Sequence, residues 1–331
     1  MVSKLVKLQF EMKNIRFPFA TILTLVFASS YSQHTDMINS NRPGMSMSAF
    51  SVGKTVFQVE GGLYGYRENH DLARYNSNGM GMEMDFRYGV LFEQLEVIAS
   101  FRFQYDKYFS PLVEQTRSGL RSSIIGAKYL IYDPYKNYEE KPNLYSWKAN
   151  HKFKWRQLIP AVSGYVGMNV GLANDDYAFP NEPVISPKIM IIGQNQIGNR
   201  YVLVTNIFYD KITTDYKTLG YIITLTRGFN EKWSGFIENQ GFKGDFYSDG
   251  ILRIGAAYLL LDNLQIDASI SKNIKDTPGL FYGGAGVSWR FDKKYQPVKI
   301  EKEEEGGKRV DKKKKDKKDK EEKKRLDKVD G

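Results

Sequence analysis

Along Gly79–Val90 the residues sort by parity: Met80, Met82, Met84, Phe86, Tyr88 and Val90 fall in one set, and Gly79, Gly81, Glu83, Asp85, Arg87 and Gly89 in the other. Strand side chains alternate faces with period two, whereas a helix would scatter these residues around its circumference. The stretch is therefore a strand with one apolar and one charged face. A single such strand suits a soluble sandwich as well as a membrane wall, so repetition decides what it belongs to.

The alternation recurs along the chain. Phe57, Val59, Gly61 and Leu63 oppose Gln58, Glu60 and Gly62, and Leu95, Val97, Ala99, Phe101, Phe103 and Tyr105 oppose Glu96, Ser100, Arg102, Gln104 and Asp106. Further on, Ile125, Ala127, Tyr129 and Ile131 oppose Gly126 and Lys128, and Val162, Gly164, Val166, Met168 and Val170 oppose Ser163, Gly167 and Asn169. The second half is more apolar on both faces but still divides into strands. Twelve are predicted: 54–66, 78–90, 94–107, 119–132, 156–171, 185–197, 200–212, 217–229, 233–243, 249–261, 264–274 and 280–291. Gly198-Asn199, Asn230-Glu231-Lys232, Asp262-Asn263 and Thr277-Pro278-Gly279 mark turns between them, and Pro160 and Pro187 fall near strand starts, where a missing N–H is tolerated.

An even number of alternating strands points to a transmembrane barrel, since a sheet in lipid must close to pair every backbone group. Mean hydropathy of −0.47 does not oppose this, because a barrel hides its apolar residues in alternation. With both termini periplasmic, 67–77, 108–118, 172–184, 213–216, 244–248 and 275–279 become external loops. The inner turns are then 91–93, 198–199, 230–232 and 262–263, with 133–155 as an exception. Tyr66, Tyr88, Tyr105, Tyr129, Trp233, Tyr258 and Trp289 lie near strand ends, where amphipathic rings suit the headgroup level. Residues 1–32 read as a signal peptide: Met12, Lys13 and Arg16 begin it, Phe17–Phe27 is its apolar stretch, and Ser30 and Ser32 precede a cut at Gln33. The expected location is the cell outer membrane.

The formal charge of +10 dissolves on inspection as a nucleic-acid signal. Residues 1–32 hold four Lys/Arg against one acid and residues 301–331 fourteen against eleven, which leaves thirty against twenty-six between them. The body is nearly neutral, and no nucleic-acid partner is expected. With no cysteine, disulfides and thiol chemistry are excluded together.

Several short motifs carry a family likeness. Arg42-Pro43-Gly44, Phe57-Gln58-Val59-Glu60-Gly61-Gly62, Gly126-Ala127-Lys128-Tyr129, Leu264-Gln265-Ile266-Asp267 and Gly286-Val287-Ser288-Trp289-Arg290-Phe291 resemble the outer-membrane transporter family named for the meta-pathway of phenol degradation. The likeness spans about residues 41–291 and implies a barrel that moves solutes. The insert 133–155 and the tail 292–331 depart from it, and a more distant resemblance is to accessory barrels of type IX secretion. Phe291 looks like the terminal aromatic of a closing strand, although forty residues follow it.

Catalytic chemistry is scarce. His34, His70 and His151 are the only histidines and are far apart, so no Ser-His-Asp arrangement is marked. There is no Cys, no His pair at ligand spacing and no calcium-loop pattern, so neither metal nor other cofactor is expected. Gly283-Gly284-Ala285-Gly286 lies within a strand, without the strand-to-helix context of a phosphate loop. The constellation with physical content is the charged inner face: Glu60, Glu83, Asp85, Arg87, Glu96, Arg102, Asp106, Lys128, Glu238, Arg253, Asp267 and Arg290. These groups either pair across a narrow bore or line water and tune selectivity. Residues 33–53, expected as a periplasmic segment before the 54–291 barrel, tilt the balance towards occlusion if they enter the lumen.

Two functions fit. One is a passive outer-membrane channel for small, apolar solutes. The other is a non-catalytic barrel subunit of an outer-membrane assembly or secretion machine, with outer-membrane lipid around it and a protein partner on the periplasmic side. The second rests on the insert, where Tyr135, Tyr138, Tyr145, Trp147 and Trp155 crowd a connection beside Lys148, Lys152 and Lys154, and on the charged tail, which has too few apolar residues for a core.

Overall fold

The computed structural model describes residues 38–136, 145, 154–171, 176–178, 182–198 and 200–292. The expected signal peptide, residues 33–37, Tyr138, Trp147 and the tail from 293 lie outside the described residues. Twelve strands follow in order: β1 (Phe57–His70), β2 (Tyr75–Gly89), β3 (Leu95–Phe109), β4 (Glu114–Tyr132), β5 (Ala161–Val170), β6 (Ile185–Ile197), β7 (Tyr201–Asp210), β8 (Thr218–Gly228), β9 (Trp233–Gly244), β10 (Ser248–Leu261), β11 (Leu264–Asn273) and β12 (Gly279–Phe291). Each pairs antiparallel with its chain neighbours, and β1 closes on β12 from Phe57↔Phe291 to Asn69↔Gly279. The fold is the expected all-β, antiparallel, up-and-down barrel.

Alternation assigns the two faces. On the outside stand Leu63, Met80, Val166, Ile191 and Ile237, all more than 60% exposed. A girdle this apolar suits hydrocarbon, not water. Rings collect near strand ends, with Trp233 and Tyr258 4.8 Å apart and Trp289 and Phe291 4.5 Å apart. Tyr66 is a correction: it shares inward parity with Gln58 and Glu60, is only 6% exposed, and donates a 2.5 Å hydrogen bond to Asp106.

Several boundaries also differ from expectation. The loops expected at 67–77 and 108–118 contract to 71–74 and 110–113, because Arg67↔Asn78 through His70↔Tyr75 and Lys107↔Thr116 through Phe109↔Glu114 continue the ladders. Polar strands pair beyond the apolar belt as readily as within it. The expected contrast of long and short connections is largely lost: 171–184 is long at one end and 133–160 at the other. A strand was expected from 156, yet Trp155–Leu158 forms a 3-10 turn and β5 starts at Ala161. Leu158-Ile159-Pro160 breaks the alternation and Pro160 has no donor, while Arg156 Nε donates to Pro134 O at 3.1 Å.

Part of the interior is filled by the chain itself. Ala49, ahead of the first strand, packs with Ile98, Leu130, Ala161, Tyr165, Met190, Ile192, Phe208 and Ile222 of β3 to β8. Residues 38–53, the described part of the 33–53 segment expected to precede the barrel, run inside it.

The face assignment makes a mutational prediction. Met84→Lys puts a charge in hydrocarbon and is expected to cost roughly 2 to 4 kcal/mol, whereas Asp85→Asn on the inner face costs less. Denaturant unfolding of each variant in vesicles checks the order.

Candidate functional site

Arg42 enters the lumen at a point the strand register prepares for it. Asp267↔Gly286, Gly286↔Gly62 and Gly62↔Glu83 form one row across β11, β12, β1 and β2. A methyl group at Gly62 or Gly286 would overlap the Arg42 guanidinium, so two glycines make the bay and a carboxylate closes each end. Nε and Nη2 donate to Asp267 at 3.4 and 3.2 Å, and Nη1 pairs with Glu83. The bay fixes where the chain crosses the bore.

From there the segment runs along polar side chains of the wall. The Asn41 and Arg42 amides donate to Glu60 Oε2 at 3.1 and 3.2 Å, Met45 and Ser46 to Glu238 Oε2 at 2.9 and 3.2 Å, and Val52 to Glu96 Oε2 at 3.0 Å. Asn206 both accepts from the Met47 amide (2.6 Å) and donates to its carbonyl (2.9 Å), as one peptide would pair with another. Gln194 Oε1 accepts from the Ser48 hydroxyl and the Ala49 amide at 2.9 and 3.0 Å, and Ser163 Oγ donates to Ala49 O at 2.6 Å. Gly44 passes so close to Glu238 that a Cβ there would stand 2.6 Å from Oε2. Among the described residues, β8 and β10 reach the segment's hydrogen bonds through Glu238, which accepts from Thr224 at 2.7 Å and pairs with Arg253.

One patch of charge is wholly sealed. Arg87 Nη1 donates to Glu60 Oε1 at 2.7 Å and to Asn39 O at 2.8 Å, while its Nε meets Glu96 Oε1 at 2.6 Å. Lys128 Nζ stands 3.3 Å from Glu96 Oε2 and donates to the Ser48 and Phe50 carbonyls at 2.8 and 2.9 Å. All four side chains are fully buried. Two carboxylates and two cations cancel, and the backbone of the segment occupies their remaining hydrogen-bonding capacity.

A cavity lies on each side of the segment. The larger, about 490 Å³, opens towards the 71–74, 110–113 and 171–184 connections and is walled by β2 to β9. The smaller, about 200 Å³, lies against the turn ends of β6 to β11. Both are lined by Asn41, Arg42, Gly44 and Ser46, so this stretch divides the bore. Above the larger cavity Asp106 accepts from Tyr66, from Gln104 (2.8 Å), from Arg117 (2.8 Å) and from Tyr177 (2.9 Å), which ties the 171–184 loop to the wall. Burial, and after it the bond to Asp106, hold the Tyr177 proton more tightly than usual.

Of the twelve charged residues expected to line the lumen, Glu60, Glu83, Arg87, Glu96, Arg102, Lys128, Glu238 and Asp267 touch residues 39–52 directly. Asp85 lines the larger cavity, Arg253 pairs with Glu238, Asp106 belongs to the loop-end cluster, and Arg290 pairs at 3.0 Å with Asp292 at the end of β12. Sequence reasoning missed Gln194, Asn206 and Arg121. The two amides have inward parity and were recoverable; Arg121 sits at a register shift where alternation fails. Of the expected docking aromatics, Tyr145 and Trp155 are 99% and 81% exposed, and the Tyr135 hydroxyl donates to Gln196 O at 3.4 Å.

Removing one member of the sealed patch leaves a charge without its partner. Glu96→Leu is expected to destabilise the barrel by about 3 to 5 kcal/mol, whereas Glu231→Ala in an exposed turn stays within about 0.5 kcal/mol. Tryptophan fluorescence through a urea titration in vesicles compares them.

Comparisons with known proteins agree with this architecture. Among solved structures, the crystal structure of the COG4313 outer membrane channel from Pseudomonas putida F1 superposes with a TM-score of 0.50 at 10% identity, covering 77% of this chain and 100% of that one. The KdgM porin gives 0.40 at 8% identity over 70% and 99%, and the CymD monoaromatic hydrocarbon channel 0.37 at 10% over 72% and 88%. Of these the first reaches 0.50, and at its identity it speaks to fold only. No curated protein matches the chain. A family model described as "Putative MetA-pathway of phenol degradation" matches residues 40–291, from the segment that crosses the lumen to the end of the closing strand. The chain is an outer-membrane β-barrel, and it belongs to that family.

Proposed function

We propose that this barrel is a passive channel for small solutes with an apolar body, and that residues 38–53 interrupt its bore and must shift for a solute to pass. The observation that carries this reading is the pair of cavities meeting at Asn41, Arg42, Gly44 and Ser46. One segment separates them, and it belongs to the chain's own N-terminal side, not to the wall. The apolar character of the cargo is supported by Met190, Phe208 and Phe242 on the wall of the larger cavity. No bond to the solute is made or broken, and the charged wall residues serve to seat the segment.

Displacement of the stretch that divides the bore, residues 41–46, breaks the Arg42 contacts and the amide bonds to Glu60 and Glu238 and turns these carboxylates, with Glu83 and Asp267, towards water. Carboxylates that end in the bore rehydrate when the segment moves, which lowers the cost of opening.

A second reading is favoured by the exposure of Tyr145 and Trp155. The insert that carries them serves as a docking surface for a protein partner, and the barrel is then a scaffold within an outer-membrane assembly.

One experiment separates the two. Loss of the Arg42 contacts, worth about 3 kcal/mol, raises the population of a displaced segment by roughly two orders of magnitude. Arg42→Ala is therefore expected to increase single-channel conductance in planar bilayers and uptake of small apolar solutes into vesicles. Unchanged, silent traces from a folded variant would favour the scaffold.

A further inference from the structure

Arg121 occupies an irregular position in β4. Arg102 pairs with Ser122 and Phe103 with Leu120, so Arg121 is the extra residue of a β-bulge. Bulges re-aim side chains, and here the result is a guanidinium turned into the larger cavity from a strand whose alternation would not place it there. Its hydrogen bond is a single one to a neutral group, Gln104 Oε1 at 3.0 Å, an oxygen that also accepts from Tyr64 at 3.2 Å. Among the described residues it forms no ion pair.

The other cations around this cavity are engaged. Arg42 is held by Glu83 and Asp267, Arg102 stands 3.6 Å from Glu83, Lys188 is 3.2 Å from Asp210, and Lys211 pairs with Glu182. Asp85 also lines the cavity, but it is paired in register with Ser100, further from the loop end than the Arg102–Phe103 step that carries the bulge. The opposite wall carries an apolar group, Tyr165, Met190, Phe208, Ile222 and Phe242, with Met45 of the threaded segment beneath, and polar Asn169 and Gln240 beside it. A cavity of about 490 Å³ holds a solute of some ten to fifteen heavy atoms together with water.

We infer that the cavity on the loop side is a binding site for a small amphipathic organic anion, an aryl or medium-chain carboxylate, with its carboxylate on Arg121 and its apolar body against β5 to β9. This rests on the channel reading and names the class of cargo. A guanidinium with unused donors matches a carboxylate in shape and charge. A neutral analogue of the same body lacks the paired contact, and a cationic one meets Arg121 with like charge. The bound solute would rest on Met45, next to the residues whose displacement opens the bore.

Binding is measurable without conduction. Isothermal titration of the folded, detergent-solubilised full chain with 4-phenylbutyrate, 4-phenylbutanol and 4-phenylbutylamine gives the order directly. The expected result is preference for the carboxylate, lost by about ten- to a hundredfold in Arg121→Gln and partly kept in Arg121→Lys, with the alcohol unaffected by either. Heat-dependent gel mobility confirms that each variant is folded. Equal affinities for the three compounds, or an unaltered carboxylate affinity in Arg121→Gln, would overturn the assignment. Selective binding without uptake into vesicles would leave the site standing and remove the channel reading; uptake without selective binding does the reverse.

Discussion

A carboxylate on the inner face of a narrow barrel needs donors, and in this protein the wall supplies some of them and a threaded peptide the others. Glu60, Glu96 and Glu238 each accept backbone amides from residues 41–52, and Asp267 and Glu83 share the Arg42 guanidinium. The dependence is mutual. A short segment without regular structure has no partners of its own for its N–H and C=O groups, and burial without them would cost several kcal/mol apiece. Wall and segment complete one another, and neither would be satisfied alone in this arrangement.

That exchange explains features that look unrelated in the sequence. Gly62 and Gly286 are the floor on which a guanidinium lies, which gives Arg42-Pro43-Gly44 and two strand motifs a common purpose. Lys128 reaches past Glu96 to two segment carbonyls. Met190, Phe208 and Ile222 face inward on strands whose inner surface would otherwise be polar, because Ala49, Met45 and Met47 lie over them. The inner faces of β6 to β8 carry these apolar residues for this reason.

The strands were legible because period-two alternation is a direct consequence of the pleat, and the twelve came through in order. The charged inner set was legible by the same parity. Parity says only which face a residue takes, however, so the match of Arg42 to Asp267, more than two hundred residues away, appears only once β11, β12, β1 and β2 are adjacent. Arg121 was hidden for the opposite reason, since a bulge breaks the pattern that would have revealed it. Strand ends were misplaced by three to five residues at 70, 75 and 114, where pairing continues through polar sequence and nothing local marks a stop.

The proposed closure of the bore by residues 38–53 has a sharp physical test. Ser40 Oγ and Ser288 Oγ are 2.7 Å apart, joining the segment to β12, and the chain has no cysteine of its own. In Ser40→Cys/Ser288→Cys, oxidation in native outer membranes should form an internal disulfide in nearly every molecule and hold the channel silent, and reduction should restore whatever conductance the unlinked protein shows. A folded barrel in which the two thiols fail to join, or in which the linked form conducts as freely as the reduced one, would contradict the account.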